Sequence, residues 1–214
     1  MLTVALTGGI ACGKSVVAGI LREKGCFVHS ADLAARETMA PESEVWRAVV
    51  GHFGRDILGP DGAIDRRRLG AIVFADAAER AFLDALVHPR VLDRVRELVA
   101  EQKRLGRHRI FVAEAALVFE AGFERFFDRI VVVSCREDVR IARLMTRDGI
   151  GREEALRKIG AQMPQEEKTG RADYVIDASG TLAETVEQTE RVYAMLVMDE
   201  ELERRGDTGE SAPA

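Results

Sequence analysis

One stretch near the start of the chain decides the fold: LTVALTGGIACGKS, residues 2–15. Its first six residues form an apolar run that predicts a buried β-strand, and a helical pattern follows from Gly13 to about Lys24. Between them, residues 8–15 match G-x-x-x-x-G-K-[ST], the pattern of a phosphate-binding loop. A strand before the loop and a helix after it are the context that this motif requires. The same glycines do not spell G-x-G-x-x-G, which disfavours a dinucleotide site.

Each position of the loop has a physical role in binding a nucleoside triphosphate. Glycines let successive backbone N–H groups turn toward phosphate oxygens, and the N-terminus of the next helix adds partial positive charge. We expect Lys14 to reach the β- and γ-phosphates and the Ser15 hydroxyl to ligate Mg²⁺. The pattern leaves the phosphoryl acceptor open among a metabolite hydroxyl, another phosphate and water. The predicted nucleotide-binding residues are Gly8, Gly9, Ile10, Ala11, Cys12, Gly13, Lys14, Ser15 and Val16.

Four further apolar runs predict the rest of a sheet. Continuous apolar runs are typical of strands that are buried on both faces. The helical patterns between them imply right-handed crossovers, so the chain is predicted to be α/β with about five parallel strands. A last helix is predicted over residues 181–204, and the small, polar residues 206–214 predict a disordered tail. The four runs cover residues 26–30, 109–113, 129–134 and 174–177.

A long helical insertion separates the second and third predicted strands. Residues 31–108 have helical patterns and several turn signals, which fit an insertion better than a structureless loop. Pro89 lies inside the helical pattern of residues 76–103 and predicts a kink or a restart there. His88 precedes it, and a lone histidine of this kind is more often structural than functional.

Composition excludes several classes of protein. The formal net charge of −5, from 31 basic and 36 acidic residues, argues against bulk nucleic-acid binding. No run of about 18 apolar residues is present, so no membrane span is predicted. Cys12, Cys26 and Cys135 are widely spaced, which fits neither a zinc module nor a disulfide scaffold and favours a cytoplasmic location.

Charged residues supply candidates for the acceptor side. Asp32 follows the second strand at the carboxyl edge of the predicted sheet, where it could accept a proton or cap the next helix, and position alone does not separate these roles. Four arginines spaced four, three and four residues apart form a stripe on one helix. For the whole stripe a solvated face is the better interpretation, whereas Arg143 and Arg147 are predicted to clamp polyphosphate. The stripe consists of Arg136, Arg140, Arg143 and Arg147.

A series of motifs resembles the dephospho-CoA kinase family. Residues 6–15, LTGGIACGKS, are similar to the family's LTGGIGSGKS. The phosphate loop alone is common to many kinases, but the ordered series over about residues 2–196 is specific. The other similar segments are residues 31–36, 52–54, 65–69, 73–76, 87–89, 117–120, 143–148, 161–164, 166–168, 172–177 and 179–180.

The resemblance implies transfer of the ATP γ-phosphoryl group to the ribose 3′-hydroxyl of dephospho-CoA, the final step of coenzyme A synthesis. It implies that Asp32 is the general base. It also implies that Asp32, His88 and Glu120 contact the substrate. Lys14, Arg143 and Arg147 complete the implied catalytic set, with Mg²⁺ as cofactor. The implied partners are ATP and dephospho-CoA, without nucleic acid or membrane, and the implied protein is a monomer that self-associates weakly at most.

The resemblance also implies a domain organisation. A single P-loop kinase domain is expected over residues 1–198, with a three-layer core, a helical substrate-binding insertion and a helical lid. The core comprises about residues 1–30, 109–135 and 173–198, the insertion about residues 31–108, and the lid about residues 143–172. Residues 199–214 are expected to hold the end of the last helix and the tail.

Three departures from the family pattern affect specific positions. Ser30 stands where the family has the first of two aspartates, so only Asp32 can serve as the base. Ala116 replaces the usual proline before residues 117–120, which could reshape the loop under the substrate. Residues 11–12 are Ala-Cys instead of Gly-Ser, which we expect to matter little because the loop binds phosphate through its backbone.

Two alternatives remain open at this point. Another small-molecule kinase, such as a nucleoside or nucleotide kinase, would share the phosphate loop and differ in its acceptor. A nucleotide-binding regulator would hydrolyse nucleotide slowly and respond to a protein partner, although the N-K-x-D motif typical of GTPases is missing from the sequence.

Overall fold

The computed structural model describes residues 1–208 and, within them, every side chain except those of Asp32 and residues 206–208. One or more helices connect successive strands, except between the third and fourth strands, where the connection holds a 3₁₀ turn. Two short 3₁₀ turns cover Arg55–Ile57 and Glu124–Phe126. The strands are β1 (Leu2–Gly8), β2 (Phe27–Ser30), β3 (Ile110–Glu114), β4 (Arg129–Ser134) and β5 (Tyr174–Asp177). The helices are α1 (Lys14–Glu23), α2 (Ala31–Thr38), α3 (Glu44–Phe53), α4 (Arg66–Ala75), α5 (Ala77–Leu105), α6 (Glu137–Asp148), α7 (Arg152–Gly160), α8 (Gln165–Gly170) and α9 (Leu182–Thr208).

The described residues form a five-stranded parallel sheet in the order β2-β3-β1-β4-β5. In register, Leu6 of β1 pairs with Glu114 of β3 on one side and with Val131 of β4 on the other. The strand order reverses at β1, which places the carboxyl end of β1 at the point where open α/β sheets bind their ligands. The α/β class and the parallel sheet predicted from the sequence are therefore confirmed.

Alternation along the strands divides the core into two faces. Leu2, Val4 and Leu6 join a cluster that includes α1 and α9 residues, whereas Ala5 packs into a second cluster with Val118. Side chains of successive strand residues point to opposite faces, which is why one strand serves both clusters. Every residue of β1 is buried, as a central parallel strand requires.

The chain divides into two compact units. The first unit contains residues 1–30 and 98–214 and holds the sheet, and the second contains residues 31–97. The boundary lies inside α5, between Glu97 and Leu98. The second unit therefore begins where the insertion was predicted to begin and ends about ten residues earlier, because the C-terminal turns of α5 belong to the unit that holds the sheet.

Helix caps and ring packing organise the second unit. The Ser43 hydroxyl accepts a hydrogen bond from the Trp46 amide at 3.0 Å and caps the N-terminus of α3. The His52 ring stacks on Phe82 with centroids 3.7 Å apart, and its Nε2 lies 2.6 Å from an oxygen of Glu79. The stacking on Phe82 and the contact with Glu79 join α3 to α5 within this unit.

Two sequence predictions about helices need correction. Helix α5 continues through Pro89, so a restart of the helix at that position is wrong. Proline removes one backbone hydrogen bond, and burial of Val87 and Val91 on either side supports the helix there. Helix α9 runs to Thr208, four residues beyond the predicted end, and the rest of the predicted tail, residues 209–214, lies outside the described residues.

A membrane-spanning helix is not found within residues 1–208: none there is long and apolar enough. The cytoplasmic location remains a prediction.

The end of β1 makes a testable prediction. A Cβ added at Gly8, which has φ 147°, would lie 2.2 Å from the Val133 carbonyl oxygen of β4. We expect Gly8→Ala to lower the free energy of unfolding by about 3 kcal/mol, because backbone must move to accept the methyl group. Gly19→Ala is the matched control, since its Cβ would meet no atom within 4 Å inside α1. Urea denaturation is expected to show Gly19→Ala as stable as the native protein or more so, and equal stability of the two variants would contradict this account.

Candidate active site

The predicted phosphate-binding loop connects the end of β1 to the start of α1. Its curl depends on two left-handed residues, Ala11 at φ 61° and Gly13 at φ 91°. Within the loop, the Cys12 amide donates to the Gly9 carbonyl at 3.2 Å. Left-handed backbone costs a non-glycine residue about 1–2 kcal/mol, so Ala11 holds its conformation at some expense. The strand–loop–helix context inferred from the sequence is confirmed.

The polar side chains of the loop lie at the N-terminus of α1. The Lys14 ammonium group donates to the Gly8 carbonyl at 3.0 Å and to the Gly9 carbonyl at 3.3 Å, so it lies over the loop that it follows. Ser15 and Val16 are exposed at the start of the helix. An anion seated in the curl would meet the ammonium group, the loop amides and the helix N-terminus together.

The arginine stripe of α6 divides into residues with different partners. Arg140 is buried, and its Nε donates to the Ile10 carbonyl at 3.4 Å. A Cβ on Gly9 would lie 2.7 Å from Arg140 Nη2, so glycine at this position leaves room for the guanidinium group. Arg143 donates to the Ala178 carbonyl at 2.9 Å. The sequence analysis gave no specific role to Arg140, because the spacing of residues on a helix cannot show which turn of that helix faces a loop.

Arg147 has a different environment from the two arginines before it. Its guanidinium group is 58% exposed and binds the carboxylate of Asp148 at 2.7 Å. The hydrogen bond from Arg147, with help from Lys158, lowers the pKa of Asp148 to about 2. The polyphosphate role assigned to Arg147 stays a prediction, and it would require this pair to separate.

A cavity of about 520 Å³ lies within the unit that holds the sheet, and its lining includes two residues that contact Ile10 of the loop, Arg140 and Gln162. It lies at the carboxyl ends of β4 and β5, where side chains from α6 and from the segment between α7 and α8 also reach it. This volume is in the range of small-molecule sites. Its lining includes Ser134, Cys135, Arg136, Arg140, Gln162, Gln165, Asp177 and Ser179.

Glu120, a predicted substrate contact, forms an ion pair with a buried lysine. Its carboxylate lies 2.7 Å from the ammonium group of Lys168, whose side chain has no exposed surface. The same carboxylate accepts a hydrogen bond from the Met163 amide at 3.0 Å, and Lys168 also donates to the Ala116 carbonyl at 3.0 Å. The carboxylate therefore joins the loop after β3 to the segment around α8, and its contact with substrate stays a prediction.

The remaining predicted acceptor-side residues lie in the second unit. Asp32 is the second residue of α2, and its side chain lies outside the described part of the structure. His88 lies on α5, where its Nε2 is 3.5 Å from a carboxylate oxygen of Asp84. Their roles also stay predictions.

The three cysteines are buried thiols. Burial raises the pKa of Cys12 and of Cys135, and raises that of Cys26 to about 12. Neutral thiols are poor nucleophiles, so the cysteine in the phosphate loop contributes packing rather than covalent chemistry.

Among the side chains that the structure describes, no group of three or more from His, Cys, Asp or Glu could hold a metal ion. This observation concerns sites built from protein ligands alone. A magnesium ion that binds through substrate phosphates and one hydroxyl requires no such group.

A parallel sheet of this order, with a phosphate loop after its central strand and arginines of α6 beside that loop, defines the class of P-loop kinases. A sequence model of the dephospho-CoA kinase family matches residues 2–184. This chain belongs to the dephospho-CoA kinase family.

Individual relatives agree with this assignment. A dephospho-CoA kinase of Geobacter sulfurreducens is 43% identical over 194 residues, which cover 91% of this chain and 98% of that protein. The crystal structure of a Thermus thermophilus protein is similar, with a TM-score of 0.74 at 32% identity, covering 91% of this chain and 96% of the other. A dephospho-CoA kinase from Campylobacter jejuni gives a TM-score of 0.65 at 26% identity, covering 89% and 94%.

Because Glu120 pairs with the buried Lys168, we expect it to stabilise the fold. We expect Glu120→Gln to lower the free energy of unfolding by about 3 kcal/mol, because Lys168 would remain buried without its anion. Glu187→Gln is the control, since it removes one partner of an exposed pair with Arg191, for which we expect less than about 1 kcal/mol. Chemical denaturation measures both. An unchanged stability of Glu120→Gln together with a raised KM for the acceptor would assign the carboxylate to substrate alone.

Proposed function

We propose that the protein transfers the γ-phosphoryl group of ATP to the ribose 3′-hydroxyl of dephospho-CoA, giving coenzyme A and ADP. The observation that carries this proposal is the family match over residues 2–184 in a chain that retains the phosphate loop. The high coverage of the Geobacter relative supports it, because the chain spans nearly the whole of that protein.

The phosphate loop would bind the triphosphate. Its amides and the ammonium group of Lys14 supply donors and positive charge at the N-terminus of α1. Such groups neutralise charge on the transferred phosphoryl group without reorganising during the reaction. Ser15 offers an exposed hydroxyl at the first turn of α1, which fits a magnesium ion that keeps most of its ligands from phosphate and water. When bound, the ion would neutralise phosphate charge.

Two arginines of α6 would add positive charge near the triphosphate. Arg140 contacts Ile10 of the loop, and Arg143 lies close to Gly13, where a Cβ would be 3.7 Å from its Nη1. Arginine suits this role because its planar guanidinium group can hold two oxygens at once. Arg147 is proposed to join them, as the sequence predicted.

The acceptor would be oriented by residues of the second unit. Asp32 is proposed to accept the proton of the attacking hydroxyl, with His88 and Glu120 as contacts to dephospho-CoA. In phosphoryl transfer the main requirement is that the hydroxyl is aligned with the γ-phosphorus, and a carboxylate can both align it and take its proton. We further propose that the protein acts as a monomer in the cytoplasm, without nucleic acid or membrane partners.

Coupled measurement of ADP release tests the activity. Purified protein is incubated with ATP and Mg²⁺ in the presence and absence of dephospho-CoA, and the mass of the product is measured by mass spectrometry. We expect ADP to appear only with dephospho-CoA and the product to gain one phosphate. Lys14→Ala is expected to be inactive, because it loses the charge that meets the β- and γ-phosphates. Nucleotide binding without any stimulation by dephospho-CoA would refute the proposed acceptor and call for a screen of other hydroxyl compounds.

Asp32→Asn tests the proposed base. We expect turnover to fall about 100-fold or more while the KM for ATP changes little, because the amide cannot accept the proton. Asp93→Asn is the control, since Asp93 is an exposed carboxylate on α5 that pairs with Arg96. Steady-state kinetics with both substrates varied separates the two parameters. Near-normal turnover of Asp32→Asn would refute the proposed base.

A further inference from the structure

Two glutamines contact the phosphate loop: Gln162 from the segment between α7 and α8, and Gln165, the first residue of α8. Gln162 Oε1 accepts a hydrogen bond from the Ile10 amide at 2.7 Å. Gln165 Oε1 accepts from the Cys12 thiol at 3.3 Å and from the Cys135 amide at 3.1 Å, while its Nε2 donates to the Cys135 carbonyl at 3.0 Å. We propose that this pair, here called the glutamine brace, holds the phosphate loop in its binding conformation from outside.

The contacts at Ile10 separate the outer part of the loop from the phosphate-binding part. Gln162 engages its N–H and Arg140 its C=O. The Ile10 side chain packs against a cluster that contains Ile141, Leu144 and Ile159 of α6 and α7. Both backbone groups and the side chain of Ile10 are engaged by the protein. In this proposal Ile10 therefore supports the loop and does not donate to phosphate, unlike the role predicted for it from the sequence. The amides after it begin at Ala11, whose left-handed backbone starts the curl.

Gln165 fixes the other side of the loop to the sheet. Its amide pairs with both backbone groups of Cys135, the residue that follows β4, so the side chain lies in one orientation. That orientation presents Oε1 to the thiol of Cys12, which is fully buried. The loop is therefore tied to β4 through one amide group.

The segment that carries the brace is itself anchored. Pro164 precedes α8, and the Lys168 amide of that helix donates to the Pro164 carbonyl at 3.1 Å. The Met163 amide donates to Glu120, which pairs with the buried Lys168. An anchored segment can transmit a fixed geometry to the loop, because neither glutamine needs to be ordered when nucleotide binds.

The brace gives a positioning role to Gln162, which belongs to the family-like segment 161–164, and to Gln165, which follows that segment. Neither residue was given a role in phosphate binding or in acceptor binding. The brace rests on the proposed function only in that the loop binds a nucleotide. Preorganised donors bind an anion more tightly than donors that must first be ordered, so loss of the brace would weaken nucleotide binding. It would leave the acceptor site unchanged.

Binding of MgADP by calorimetry tests the brace without any acceptor. The variants are Gln162→Met and Gln165→Met, which keep side-chain length and remove the amide, with Gln102→Met as the control at a buried glutamine on α5. We expect about tenfold weaker MgADP binding for each brace variant, as expected for the loss of a buried hydrogen bond, and native affinity for the control. In steady-state kinetics the KM for ATP rises and the KM for dephospho-CoA does not.

Thiol labelling reports the loop conformation directly. Cys12 is buried under the brace, and Cys26 is a buried reference thiol in the same unit. We expect N-ethylmaleimide to label Cys12 several-fold faster in Gln165→Met than in the native protein, with the Cys26 rate unchanged, as read by peptide mass spectrometry. A merely destabilising effect would raise both rates together and would contradict the positioning role.

The outcomes separate the two proposals. Native MgADP affinity and a native Cys12 labelling rate in both brace variants would overturn the brace. Tight MgADP binding by the native protein without phosphorylation of dephospho-CoA would overturn the proposed function, and the affinity ratio would still decide the brace. If Gln162→Met does not fold, Gln162→Asn withdraws the same acceptor by one methylene and is expected to show the same loss of affinity.

Discussion

The close approach of β1 to β4 at Gly8 is the constraint on which the site depends. Backbone of β4 occupies the space that a side chain at this position would need. The strand can therefore leave the sheet in tight contact with its neighbour and turn directly into the phosphate loop. The loop therefore starts from a central strand whose residues are all buried, and Lys14 begins α1 six residues after Gly8.

Side chains from outside the motif complete the loop. Arg140 approaches from α6, and the two glutamines approach from the segment before α8 and its first residue. They engage backbone or thiol groups on the outer side of the curl. A loop of small residues has few contacts of its own, so its geometry depends on neighbours far along the chain.

The strands of the sheet could be predicted from the sequence more completely than the contacts of the site. Two predicted strands, residues 129–134 and 174–177, match the structure at both ends, because continuous apolar runs identify buried parallel strands. The phosphate loop was readable because its glycines and lysine are fixed in spacing. The tertiary partners of Arg140, Gln162 and Glu120 could not be predicted from the sequence. Hydrogen bonds between residues more than 40 positions apart leave no periodic signal. The restart predicted at Pro89 was wrong because side-chain packing around α5 outweighed the loss of one backbone hydrogen bond.

Two glutamine amides also act as extra rungs of the sheet. Gln165 pairs with both backbone groups of Cys135 after β4, and Gln188 does the same for Asp177 at the end of β5. Each rung needs one oxygen and one NH₂ group on the same side chain. Deamidation to glutamate would keep the oxygen and lose the donor, leaving a carboxylate against a carbonyl. Deamidation of either glutamine would therefore weaken the hydrogen bonding at the edge of the sheet where the cavity lies.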